Sequence, residues 1–125
     1  MHVKIDTREK FHAITILESV LAANMTDELE KLLAPLLNTE PKNTIVILKG
    51  VQVVEEAAGE QLVKIQDTFY ENASSFIVCE LEPAVEAALE GNGLLEVMNV
   101  VPTEAEAADI VHMEEVEREL LNGEE

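Results

Sequence analysis

Two adjacent carboxylates, Glu55 and Glu56, stand where the apolar run Val51–Val54 gives way to small residues and a helical pattern. A strand that delivers its chain into a helix N-terminus is where α/β proteins commonly place their sites. Paired acids there could divide into a general acid and a base if repulsion split their pKa values. Yet a helix N-terminus ordinarily favours a phosphate or other anion, and two carboxylates already occupy the place. In a chain with 26 acidic residues a pair carries little information, and neighbours at a helix start diverge into solvent. Other routes to chemistry are poorer. Ser19, Ser74 and Ser75 form no nucleophile elbow, and Cys79 has no Cys-x-x-Cys partner. His2 and His12 fall on neighbouring predicted strands and could approach each other, but no third metal ligand accompanies them, and His112 reads as a solvated helix residue. Gly59, and the triplet Gly91-Asn92-Gly93, lack the spacing and the lysine of a nucleotide-binding turn. The residues therefore predict no enzyme, no metal and no cofactor.

Composition narrows the partners. The chain has 125 residues, a 47% apolar fraction and a formal charge of −18. That is enough apolar material for one domain with a real core. Aromatic residues are few (Phe11, Phe69, Tyr70 and Phe76, with no Trp), which argues against a large stacking platform for bases or sugars and leaves the core to be built from Leu, Ile, Val and Ala. Residues 65–125 hold 16 acids against one basic residue, Arg118. Nucleic acid and anionic membrane are poor partners for that surface; the charge either simply solubilises the protein or attracts a basic partner patch. A lone Cys79 in an apolar run predicts a buried, unpaired thiol. No signal-like or membrane-length apolar segment is seen, so the expected compartment is the cytoplasm, with no membrane insertion.

The elements that must position the junction follow from periodicity. His2–Asp6 and Phe11–Leu17 read as two strands joined by Thr7–Lys10. The segment 17–23 is ambiguous between strand end and loop. Asn24 or Thr26 can cap a helix whose first turn holds Asp27 and Glu28, with Leu29, Leu32, Leu33, Leu36 and Leu37 as its stripe. Pro35 predicts a kink or an early end. Thr44–Leu48 is an uninterrupted apolar strand, the kind buried on both faces. Ala58, Leu62, Ile65 and Phe69 mark the next helix, Phe76–Val78 another strand, and Glu82-Pro83 the entry to a short helix that Gly91-Asn92-Gly93 stops. Leu94–Val100 reads as a final edge strand. Thr103 and Glu106 match a capping box for a last helix, which Val116, Leu120 and Leu121 extend toward Asn122-Gly123. The alternation predicts one sheet backed by helices.

Ile77–Val85, followed by Gly91-Asn92-Gly93-Leu94 and by Thr103–Ala107, resembles the STAS domain, most closely the bacterial anti-sigma factor antagonists. The resemblance spans roughly residues 3–111. It implies an α/β fold with a single mixed, mostly parallel sheet of about five strands backed by four helices. Residues 1–111 would form that domain, and 112–125 an acidic C-terminal extension continuing the last helix. In such antagonists the strand before the second helix ends in Asp-Ser-Ser-Gly-Leu-Gly, whose first serine is phosphorylated by an anti-sigma kinase. Aligned without gaps, Glu55 matches the Asp, Glu56 the acceptor serine and Ala57 its neighbour. A slide by one matches Glu56 with the Asp and Ala57 with the acceptor. The first register keeps Val51, Val53 and Val54 on apolar positions and fits better. Neither leaves a hydroxyl, and Glu56 supplies one charge where phosphoserine supplies nearly two.

The resemblance thus implies a non-enzymatic domain that docks a protein partner, such as an anti-sigma factor or kinase, without a serine switch. The docking residues would be Glu55, Glu56, Ala57, Ala58 and Gly59, joined by the loop Asn24, Met25, Thr26 and Asp27. The alternatives it leaves open are a small STAS subunit of a lipid-transport ATPase complex and a structural subunit of a stress-signalling assembly. For the C-terminal extension, packing on its own sheet and a homodimer contact along Met113, Val116 and Leu120 both remain open.

Overall fold

Strand β4 (Asn43–Ile47) sets the architecture, because side chains leave it alternately and every one of its residues is buried. Val46, with Leu48 just beyond, faces one apolar cluster, while Ile45 and Ile47 face another. Its neighbours repeat the division. Ile14 and Ile16 of β2 (Phe11–Ile16) oppose Ala13, and Phe76 and Val78 of β6 (Phe76–Cys79) oppose Ile77 and Cys79. A sheet apolar on both faces must be covered on both.

The computed structural model, which describes residues 1–123, shows how that is done. The sheet order is β1-β2-β4-β6-β7, with β1 (Val3–Thr7) antiparallel to β2 and the other pairs parallel; β7 is Val100–Val101. Helices α1 (Thr26–Leu33), α2 (Glu56–Glu71) and α3 (Pro83–Gly91) supply Leu29, Leu33, Leu62, Ile65, Phe69, Val85 and Leu89 to the larger cluster. Phe69 and Phe76 meet there with ring centroids 5.1 Å apart. Helix α4 (Glu104–Gly123) covers the opposite face with Ala107 and Val111. The expected mixed sheet of five strands backed by four helices is thus present, with three helices on one face and one on the other.

Several local expectations hold for the reasons given. The leucine-rich helix ends at Leu33, and Pro35 sits in a 3-10 segment, Ala34–Asn38. Glu82 is the N-cap of α3 with Pro83 opening its first turn, and Gly93 provides the turn beyond with φ +82.

Others are corrected. Neither Asn24 nor Thr26 caps α1: its N-cap is Met25, and a 3-10 turn, Ala23–Met25, feeds the chain in. The predicted strand Leu94–Val100 shrinks to Val100–Val101. Leu95–Val97 forms a 3-10 turn, and buried Gln66 of α2 takes the backbone next to it, donating to the Val97 carbonyl at 2.9 Å and accepting from Asn99 N–H at 2.8 Å. Those peptide groups, satisfied by a side chain, have no need of a neighbouring strand. The ambiguous 17–23 segment holds a two-residue strand, β3 (Val20–Leu21), which pairs in parallel with β5 (Val53–Val54) as a separate small sheet. The capping box is realised by half: Thr103 Oγ1 accepts Glu106 N–H at 3.1 Å, while the Glu80 carboxylate accepts Glu104 N–H at 3.0 Å. Glu80 reaches α4 from a left-handed backbone, φ 60.

The distal half of α4 is held by polar contacts. Glu114 Oε1 accepts from Ser75 Oγ (2.6 Å) and Tyr70 Oη (2.7 Å), and Arg118 donates to Asn43 Oδ1 (3.2 Å) and Ser75 Oγ (3.1 Å). Asn43 Nδ2 donates to Glu115 Oε2 at 2.8 Å, and Lys10 pairs with the same carboxylate at 3.2 Å. Burial, and then the bond to Glu114, raise the Tyr70 phenol well above its ordinary pKa.

Thr44, fully buried on β4, is the one residue among those described whose buried side-chain oxygen has no partner. A buried hydroxyl left unbonded is destabilising. Thr44→Val keeps the shape and removes the orphan, so it should raise the unfolding free energy by on the order of 1 kcal/mol in urea titration. A loss of stability would show that the hydroxyl is satisfied.

Candidate partner-docking site

The two segments singled out by sequence, 24–27 and 55–59, are brought together by the small β3–β5 sheet. Val20 pairs with Val53 and Leu21 with Val54; Gln52 and Val53 N–H both reach the Ser19 carbonyl, and Glu55 N–H reaches the Leu21 carbonyl at 2.9 Å. The Glu55 carboxylate then crosses the gap and accepts the Ala23 N–H at 2.7 Å. Glu55 is the N-cap residue of α2 by position, but its side chain caps nothing in its own helix. It serves the neighbouring turn instead.

The acid pair therefore diverges. Glu55 fastens the loop that leads into α1, and Glu56 stands exposed in the first turn of α2. Ala57 is half-buried, while Ala58 and Gly59 point inward. A Cβ on Gly59 would lie 2.8 Å from Leu94 Cδ1 and 3.2 Å from Leu89 Cδ2, so glycine lets α2 approach α3 and the turn beyond it. Asn24 and Asp27 are exposed; Met25 and Thr26 are half-buried, with Met25 packed on the main core. The accessible surface thus consists of Asn24, Asp27, Glu55 and Glu56, beside the exposed register pair Val20 and Val53. Sequence reasoning missed that apolar shelf, whose only trace was a short apolar run in an ambiguous segment.

Nothing in this arrangement resembles a reactive centre. His2 and His12 do not meet: His12 pairs with Thr7 at one end of β1, and His2 lies exposed at the other. His12 is buried, with Nδ1 2.8 Å from Thr7 Oγ1 and Nε2 2.9 Å from Thr39 Oγ1. Thr39 donates to the Leu36 carbonyl at 2.7 Å, so it accepts from Nε2–H, and Nδ1 is left to accept from Thr7. His112 is exposed. Among the described residues no group of three or more His, Cys, Asp or Glu is arranged to hold a metal, and no helix is long and apolar enough to cross a membrane. Cys79 is buried, and burial, then Glu80 and Glu104, push its thiol up to about 12.

A mostly parallel five-stranded sheet covered on both faces, with an acidic junction at a strand-to-helix turn, defines an α/β domain of one class. The chain belongs to the STAS domain family, whose profile matches residues 2–107. No curated protein matches it in sequence. Among solved structures it is similar to an anti-sigma factor antagonist from Mycobacterium paratuberculosis (TM-score 0.75, 14% identity, covering 89% of this chain and 93% of that one). It is also similar to a protein of Thermotoga maritima described as a putative anti-sigma factor antagonist (0.73, 15%, 88% and 94%). A third is RsbS of Moorella thermoacetica carrying a serine-to-glutamate substitution (0.72, 21%, 90% and 96%). These likenesses concern the fold.

Two predictions follow from the geometry. Glu55→Ala removes the acceptor of the Ala23 amide, so hydrogen exchange at residues 23–25 should quicken several-fold while Leu29 stays protected; unchanged exchange would show that the β3–β5 pairing alone fixes the loop. For Cys79 the folded pKa lies above the unfolded value, so its contribution is complete below about pH 9 and is lost as pH rises toward 12, where the unfolded chain ionises first. Unfolding free energy should therefore fall across that interval, and less steeply in Cys79→Ala.

Proposed function

We propose that this domain is a regulatory docking module of the anti-sigma factor antagonist kind, whose partner surface is permanently set rather than switched by phosphorylation. The observation that carries the reading is the Glu55–Ala23 bond, which makes the α2 start and the 24–27 turn one surface. No hydroxyl lies between Val51 and Leu62, so the strand-to-helix junction itself offers no acceptor for a kinase. Glu56 presents one fixed negative charge beside the Val20–Val53 shelf. A partner with an apolar contact flanked by a cationic or amide donor fits it. An anti-sigma factor or a related kinase is the partner class that the family suggests, and residues 112–125 are an accessory to the docking domain.

Affinity isolation from native extract tests this. Wild type should retain an anti-sigma or stress-response kinase, and Glu56→Lys should lose it, since reversing a charge at an interface both removes an attraction and adds a repulsion. Incubated with that kinase and ATP, wild type should acquire no phosphate at residues 51–62, whereas Glu56→Ser/Ala57→Ser should be labelled there. Phosphate on the wild-type junction, or kinase retention indifferent to Glu56→Lys, would overturn the reading.

A further inference from the structure

Helix α4 carries an anchoring side and, opposite it, a row of exposed apolar residues. At 100° per residue, the side that meets the sheet carries Ala107, Val111, Glu114 and Arg118, all bonded or packed there. Met113, Val116 and Leu120 follow one another at intervals of three and four and project from the reverse side, where they are 55%, 39% and 65% exposed. Large apolar side chains aligned in a row on an outward face are unlike scattered surface leucines, because their spacing is that of a seam between paired helices.

We propose that this row is a second docking face, built to pair with a basic amphipathic helix of a partner protein. The flanking residues decide the occupant. With Met113 and Leu120 as one type of seam position and Val116 as the other, the residues bordering the seam include His112, Glu117 and Glu119, all exposed. Arg118, the only Lys or Arg after residue 64, is turned inward to Asn43 and Ser75 and neutralises nothing on this side. A second copy would set glutamates against glutamates between two chains of charge −18. Three side chains make a small contact whichever helix meets them, so charge decides between the occupants. A helix with leucines in its seam and lysines or arginines beside it meets the same row with attraction in place of repulsion. The contact is then modest and salt-sensitive. It lies on the covering helix and does not depend on the junction formed by Glu55 and Glu56.

The test uses a fluorescein-labelled synthetic helix of three heptads, with Leu at both seam positions and Lys at the flanks, and a counterpart with Glu for Lys. Fluorescence anisotropy with the whole chain should show binding of the lysine peptide only, weakening as salt is raised. Val116→Ser/Leu120→Ser, checked for folding by circular dichroism, should weaken it at least about tenfold. Glu117→Gln/Glu119→Gln should flatten the salt dependence, and Glu56→Lys should leave the affinity within about twofold, which separates this face from the docking junction. Absence of binding, or binding that the two serines do not alter, would overturn the proposal. So would sedimentation of the wild type as a dimer that the serines dissociate, which would make the second copy the occupant.

Discussion

The structure depends on the burial of β4 on both faces. Asn43–Ile47 have no solvent side, so α1, α2 and α3 must close one face and α4 the other. That division leaves unequal duties. Three helices share the larger core, including the Phe69–Phe76 contact, whereas α4 covers its face alone with the small side chains Ala107 and Ala108 beside Val111 and Ile110. No other element of the described residues packs over its far side, where Met113, Val116 and Leu120 are exposed.

The same constraint bears on the proposed docking surface. The main sheet is covered on both faces, and the short β3–β5 pairing is set apart from it. It stands on buried Leu21 and Val54 and exposes Val20 and Val53, which makes it a platform fixed from below. Glu55 adds a bond across its rim, and Gly59 lets the helix behind it pack tightly on Leu89 and Leu94. Rigid support beneath a few exposed groups is the arrangement that lowers the ordering cost of binding.

Much of this was legible in the sequence because it rests on periodicity. The unbroken Thr44–Leu48 run, the stripe Ala58–Leu62–Ile65–Phe69, the Pro35 stop and the Pro83 start each announce a local preference that the fold obeys. What escaped were contacts between residues distant in the chain. Gln66 looks like any polar helix residue until its amide is found satisfying Val97 and Asn99, and so shortening a strand. Glu80 reads as one acid among many, although it bonds a free N–H of α4 beside the Thr103 cap, and does so from a left-handed backbone. Glu55 was legible as a strand-to-helix junction residue but not as the fastener of the neighbouring turn, since nothing in local spacing points to Ala23.

The polar cluster under the distal half of α4 gives that helix two kinds of attachment. Up to Val111 it is held by apolar burial in the smaller core; beyond it, by Glu114, Glu115 and Arg118 bonding to Ser75, Asn43, Tyr70 and Lys10. The polar group serves the interior as well as the helix. Ser75 is buried, and its hydroxyl has Glu114 and Arg118 as its partners. Without those two side chains it would be left unbonded inside the domain, at a cost of about 1–3 kcal/mol.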